Sequence, residues 1–233
     1  MHKKLITACL AIAVFAAFVV APSASAVQIG ETNEKHEFTA LKANSGVKIT
    51  GTQLGASRMT DKNGGILVEC TKGTMTGELT ENGANVITGD ITSASFTNNT
   101  GGACPSIVGT SVVTTKIEDK GPPVVQTGVP WCLSTIKATD TFEVRGGNCN
   151  EAARNLIFIL DNSVAGECEY SKASVTGTFR TDVKETEDAI LTVTKNGAFV
   201  LIRGGAFCPK EGFLDMEFTL ETDESPFAPL YIK

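Results

Sequence analysis

Apolar and polar residues alternate along much of this chain. The clearest run sets Leu214, Met216, Phe218 and Leu220 against Asp215, Glu217, Thr219 and Glu221. Met75, Gly77 and Leu79 alternate in the same way with Thr74, Thr76 and Glu78, and Val175, Gly177 and Phe179 repeat the pattern. Such alternation is the mark of a half-buried strand, because successive side chains point to opposite faces. Leu156 to Leu160 is a continuous apolar run, short enough for a strand buried on both faces. Ile66-Leu67-Val68-Glu69-Cys70 is a further short strand, and Val86 to Phe96 a Thr/Ser-rich one. Outside the first residues no amphipathic helix emerges, except for one possible helical turn at Cys149 to Arg154.

The breaks between these runs carry turn chemistry. Asn44-Ser45-Gly46 separates a predicted strand pair, Phe38 to Ala43 and Val47 to Gly51. Asp61-Lys62-Asn63-Gly64-Gly65 and Glu81-Asn82-Gly83 are further turns, and Asn196-Gly197 predicts a hairpin. Glu118-Asp119-Lys120-Gly121-Pro122-Pro123 is the strongest break, after which Val124 to Pro130 offers one edge strand. Pro226 and Pro229 confine Leu230-Tyr231-Ile232 to an edge or terminal strand.

The chain also resembles itself. Thr39-Ala40-Leu41-Lys42-Ala43 through Gly51 aligns with Ser134-Thr135-Ile136-Lys137-Ala138 through Gly146 at an offset of 95 residues. The match continues to Cys70 and Cys168, and ends at Gly101-Gly102-Ala103-Cys104-Pro105 against Gly204 to Pro209. Many short strands between Gly, Asn and Pro turns predict an all-β protein of the sandwich type. The expected organisation is two tandem β-sandwich-like repeats, 27–118 and 132–233, joined by a linker over 119–131 and preceded by a cleaved signal peptide at 1–26.

The signal reading rests on His2-Lys3-Lys4, an apolar stretch from Leu5 to Val20, and Ala24-Ser25-Ala26 in the small-residue cleavage pattern. The apolar stretch falls short of the roughly 20 residues that a spanning helix needs. Ile6-Thr7-Ala8-Cys9 superficially matches a lipid-attachment motif, but it stands at the wrong end of the apolar run. Removing residues 1–26 takes two lysines from 20 Lys+Arg, leaving 18 against 26 Asp+Glu and a net charge of −8. No basic cluster survives, which excludes nucleic acid and anionic lipid as expected partners. No transmembrane segment is expected after cleavage. The predicted location is therefore secreted or cell-envelope.

Cys9 leaves with the signal, and Cys70, Cys104, Cys132, Cys149, Cys168 and Cys208 remain. An even set in an exported chain predicts disulfides, and composition alone allows 15 pairings. The repeat narrows them, because Cys70 and Cys104 occupy the places of Cys168 and Cys208. The predicted bridges are Cys70–Cys104, Cys168–Cys208 and, by remainder, Cys132–Cys149. Loops of this size give roughly 3–4 kcal/mol each on the loop-closure estimate. A Cys/His metal site is not expected, since no C-x-x-C is present and the mature chain holds one histidine, His36. No cofactor is expected.

The pattern of signal segment, Thr-rich strand, strand into cysteine at Leu67 to Cys70, Val175-Thr176-Gly177-Thr178-Phe179, Gly204 to Pro209 and terminal Pro229 to Ile232 resembles secreted actinobacterial proteins of uncharacterised function. The resemblance spans most of the mature chain. It implies an exported β-sandwich and transfers no catalytic residue.

Catalytic chemistry is thinly represented. His36 lies in the charged segment Asn33 to Glu37, and no G-x-S-x-G elbow accompanies it. A glycosidase needs only two carboxylates about 5–10 Å apart, and Glu69, Glu167, Glu169, Asp215 and Glu217 are the candidates. One Trp and two Tyr give little for stacking on sugar rings, and Trp131, next to Cys132, reads as core. Asp61 to Gly65 lacks the full spacing of a calcium loop, and Asn98-Asn99-Thr100 fits a glycosylation sequon or an ordinary loop. The sequence therefore points to a non-catalytic extracellular or cell-envelope protein with a binding or structural role. Its ligand would be a cell-wall glycan or a protein. A secreted carbohydrate-active hydrolase and an inhibitor module are the alternatives. Non-reducing peptide mapping of the mature protein should find no free thiol, and a bridge such as Cys70–Cys208 would overturn the two-unit reading.

Overall fold

The computed structural model describes residues 29–32, 38–83, 86–107, 109–117, 128–136, 141–180, 189–195, 197–223 and 230–232. The expected signal segment, His36 and most of the expected linker lie outside these residues. In the first half the strands are β1 (Ile29–Thr32), β2 (Phe38–Ala40), β3 (Lys48–Gln53), β4 (Ser57–Thr60), β5 (Ile66–Cys70), β6 (Lys72–Asn82), β7 (Ile87–Thr97), β8 (Cys104–Pro105) and β9 (Thr110–Ile117). The second half adds β10 (Trp131–Ile136), β11 (Thr141–Gly146), β12 (Leu156–Asn162), β13 (Gly166–Lys172), β14 (Ser174–Arg180), β15 (Ile190–Val193), β16 (Phe199–Arg203), β17 (Glu211–Thr222) and β18 (Leu230–Ile232). No helix occurs among the described residues, and Cys149 to Arg154 is a turn closed by Glu151 N–H on Asn148 O.

The sandwich expectation is corrected by the pairing. An antiparallel ring runs β3–β6–β7–β10–β11–β14–β15–β17 and returns from β17 to β3, a closed barrel of eight strands. Alternating strands look the same in a sandwich and a barrel. Closure depends on pairings such as Leu220↔Gly51, which join the two ends of the chain. Closing the ring also removes the exposed edges that an open sheet would carry.

A second sheet grows from the first half of β17. Glu211 and Gly212 pair with β16, which continues through β13, β12 and β9 to β8. On the other side Phe213 to Asp215 pair with β4, and β4 pairs with β5. Val68 of β5 then bridges Ser106, next to β8, so this sheet also curls back towards itself. One hydrophobic cluster fills both regions, with Phe158 in contact with Phe96, Trp131 and Phe199 at ring separations of 5.3–6.1 Å.

The local patterns explain which faces are buried. On β17 Gly212, Leu214, Met216, Phe218, Leu220 and Thr222 are buried in strict alternation. Leu156 to Leu160 is buried at every position, as the unbroken apolar run predicts. Phe142 lies across Gly177, its direct partner, where any Cβ would overlap the ring. β18 is an edge strand paired to β1, in line with the flanking prolines.

Two predicted strand pairs do not form. β2 pairs with β1 and β3 with β6 and β17, although Asn44 and Gly46 do turn the chain with positive φ. β15 and β16 do not make a hairpin either. Both run antiparallel to β17, one after the other, and Gly197 lies in the break between them. Lys172 bonds the Gly197 carbonyl at 3.0 Å, and burial lowers its pKa. Gly128 to Pro130 form no strand, and 124–127 lie outside the described residues.

Tyr170 is fully buried, its hydroxyl has no partner among the described residues, and burial pushes its pKa up to about 12. The unfolded chain releases this proton near pH 10 and the folded chain two units later, so stability falls as pH rises from about 10 to about 12. That loss is of the order of 2–3 kcal/mol. Tyr170→Phe should abolish this part of the alkaline loss and cost little at neutral pH, because no hydrogen bond is broken. Denaturant unfolding at neutral and alkaline pH checks both.

Candidate functional site

Two strand edges face a groove of about 670 Å³. One is the second half of β7. Ile87 to Thr97 pairs with β6 along one edge, but its other edge meets β10 only as far as Ile91. The second is β9, which pairs with β12 along one edge and with β8 only at Thr110 and Ser111. Thr92 to Thr97 and Val112 to Lys116 therefore each keep an edge without a strand partner among the described residues. Unpaired strand edges present rows of backbone N–H and C=O groups.

The sequence sets the walls of this groove. Thr92, Ser93, Ser95, Thr97, Thr114 and Thr115 lie along it, the Thr92 hydroxyl donating to Thr76 O and that of Thr115 to Gly128 O. Phe96 turns inward and is buried between Phe158 and Phe218, at 6.1 and 6.3 Å. The loop Gly101 to Ala103 closes one end, shaped by Asn98. Asn98 Oδ1 accepts from the N–H of Thr100 and Gly102 and from the Thr100 hydroxyl, while Nδ2 donates to Ala103 O. The sequon asparagine is thus a loop clasp. Gly128 and Val129 close the other end, where Thr115 Oγ1 donates to Gly128 O at 3.3 Å. Lys116 is the sole charged group among the described lining residues, and it approaches Glu169 at 3.7 Å.

The predicted site residues lie elsewhere. The six cysteines form Cys70–Cys104, Cys132–Cys149 and Cys168–Cys208, the three pairs that the sequence predicts. They clasp β5 to β8, β10 to the turn after β11, and β13 to the turn before β17. Asp90 lies beside Cys132 and Cys149, but both sulfurs are in the disulfide and Asp90 Oδ1 accepts from Cys149 N–H at 2.7 Å. Glu69 pairs with Arg58, and Glu167 and Glu169 both reach Arg203, at 3.6 and 3.3 Å. Glu217 accepts from the Thr192 hydroxyl at 3.2 Å. None of the five candidate acids lines the groove. Asp61 Oδ1 is occupied by the N–H groups of Asn63 and Gly65, within the β4–β5 turn. Trp131 is buried in the core, beside Phe158 rather than presented to solvent.

Sequence reading did not locate this surface. The hydroxyl run from Thr92 to Ser95 is visible in sequence, whereas the lack of a strand partner beside it among the described residues is a property of the pairing. Compared with known proteins, the chain matches no family model, no curated protein and no solved structure.

The groove can be tested apart from the core beneath it. Ser95→Ala and Thr114→Ala should change unfolding free energy by no more than about 0.5 kcal/mol. Phe96→Ala should cost about 3–5 kcal/mol. Urea unfolding of the three variants separates wall from floor.

Proposed function

We propose that this chain is an exported, non-catalytic binding protein of the extracellular space or cell envelope, and that its ligand is an extended, uncharged polymer lying along the groove between β7 and β9. The observation that carries this reading is the pair of strand edges that have no strand partner among the described residues and are flanked by Ser and Thr. Such a surface matches ligands rich in neutral donors and acceptors, either a polypeptide backbone or a glycan. Among the described lining residues charged ligands find one lysine, already close to Glu169, and the hydrolase alternative finds no carboxylate.

Export is supported by the basic, apolar and small-residue order of 1–26, and three disulfides are compatible with it. We further read 27–118 and 132–233 as two copies of one unit joined by 119–131. In each, a strand ends at or contains a cysteine, Cys70 or Cys168, that bridges to a Gly-Gly segment ahead of a later strand.

The purified mature protein, whose first residue should be Val27 by mass spectrometry, should co-sediment with isolated cell walls or insoluble polysaccharide, or bind extended peptides, without releasing sugar. Ser95→Arg and Thr114→Arg together should weaken that binding about tenfold or more while leaving the melting curve unchanged. Released sugar, or binding indifferent to both arginines, would count against the reading.

A further inference from the structure

We propose that the interior of the eight-stranded barrel, separate from the groove, is a binding site for one small apolar molecule of about benzene size that carries a hydrogen-bond acceptor. Barrels of eight strands are just wide enough to be filled by side chains or to hold one small ligand. Here the filling is incomplete. A void of about 70 Å³ lies among Ile29, Ile49, Met75, Leu79, Leu133 and Leu220. A second of about 40 Å³ adjoins it towards Trp131 and Phe142. Met75, Ile91, Leu133 and Leu191 line both, so a single layer of side chains separates them. Met75 is unbranched and flexible, the kind of side chain that repacks around a guest.

The larger void is a choice of sequence more than of backbone. Gly77 also lines it, but a Cβ there would approach Asp90 O at 2.6 Å, so the close strand contact requires that glycine. Gly51 differs. A Cβ at Gly51 would stand 3.5–3.7 Å from Leu220, Phe218 and Met75, ordinary van der Waals contact, and its φ is not in the left-handed region. An alanine would fit and partly fill the space, yet glycine stands there. Each void alone is smaller than the roughly 150 Å³ at which an engineered apolar cavity takes up benzene, so a guest would occupy both by displacing the shared layer of side chains.

The wall of the smaller void also holds an unmet donor. Trp131 is 4% exposed, and its Nε1–H has no partner among the described residues. A guest with a carbonyl or ether oxygen would satisfy it. β1 covers one end of the barrel, where Ile29 lines the larger void. Asn82 holds β1 by accepting from Ile29 N–H and donating to the carbonyls of Ile29 and Leu41, at 2.7–3.0 Å. Lifting β1 would open the way in.

Trp131 is the single tryptophan of the chain, so its emission reports directly on the site. The intact mature protein would be titrated with toluene and with cyclohexanone, followed by fluorescence and calorimetry. Both should bind saturably at one site and shift the Trp131 emission. Gly51→Ala, or Leu133→Phe if the first variant does not fold, should weaken both by roughly tenfold. Trp131→Phe, followed by calorimetry, should weaken cyclohexanone by roughly 2- to 10-fold, the net worth of one hydrogen bond, and leave toluene unchanged. Asn82→Ala should speed exchange of either probe. Absence of saturable binding, or affinities untouched by the filling variants, would overturn the site. An equal loss for both probes in Trp131→Phe would overturn the acceptor.

Discussion

Strand β17 is the element on which the rest of the structure depends. Along one edge it bonds β4, then β3. Between those two strands the Leu54 N–H donates to Glu217 O, so the edge is occupied from Phe213 to Thr222. Along the other edge it bonds β16, then β15. One strand thus belongs to the barrel and to the second sheet together. Its alternation fixes how it can sit, since a slip by one residue would turn Leu214, Met216, Phe218 and Leu220 to solvent. The barrel closes because this strand, late in the chain, finds β3, early in the chain. Neighbouring strands such as β6–β7 and β10–β11 pair locally, but closure waits on this end-to-end pairing, which implies slow folding relative to a helical protein of the same size.

Much of this was legible in the sequence, and what was not has a common cause. Alternation identified β17, β6 and β14 and the face each buries. The unbroken run Leu156 to Leu160 identified a strand buried on both sides. The cysteine positions gave the bridges. Sequence pattern reports the periodicity of one strand, however, and says little about its neighbours. Asn44-Ser45-Gly46 and Gly197 do mark turns, yet the strands on either side bond to others. A local turn signal cannot distinguish a hairpin from a break in a strand line that runs on along the same partner, as β15 and β16 do beside β17. The same blindness separates a sandwich from a barrel, because the difference lies in which distant strand completes the ring.

The candidate groove was illegible for a related reason. Thr92 to Thr97 and Val112 to Lys116 are ordinary strand sequences. What makes them a candidate is that neither has a strand partner on this side among the described residues. Natural proteins guard free edges with charge, bulges or brevity. This groove has one lysine along its described walls and instead relies on recess: Asn98 props a loop across one end, and Gly128 and Val129 close the other. Recession protects against a second flat sheet while leaving room for a single extended chain. That is the geometry that a selective binder would need and an aggregating edge would lack.

The molecule leaves interactions unmade in two chemically opposite places. At the groove the bonds without a strand partner among the described residues are backbone bonds at strand edges, where water can serve them at little cost. Inside the barrel the unmet donor is Trp131 Nε1–H, where water finds only apolar walls. Buried polar groups without partners cost free energy, and cavities cost more. A protein clasped by three disulfides has stability in reserve with which to tolerate both defects. The bridges at β5–β8, β10 and β13 are themselves largely buried, yet no cysteine is among the described residues that line either void. The bridges and the voids therefore occupy different parts of one core: cysteines pack into the hydrophobic cluster, while the lining of both voids is left to Met, Leu, Ile and aromatic side chains.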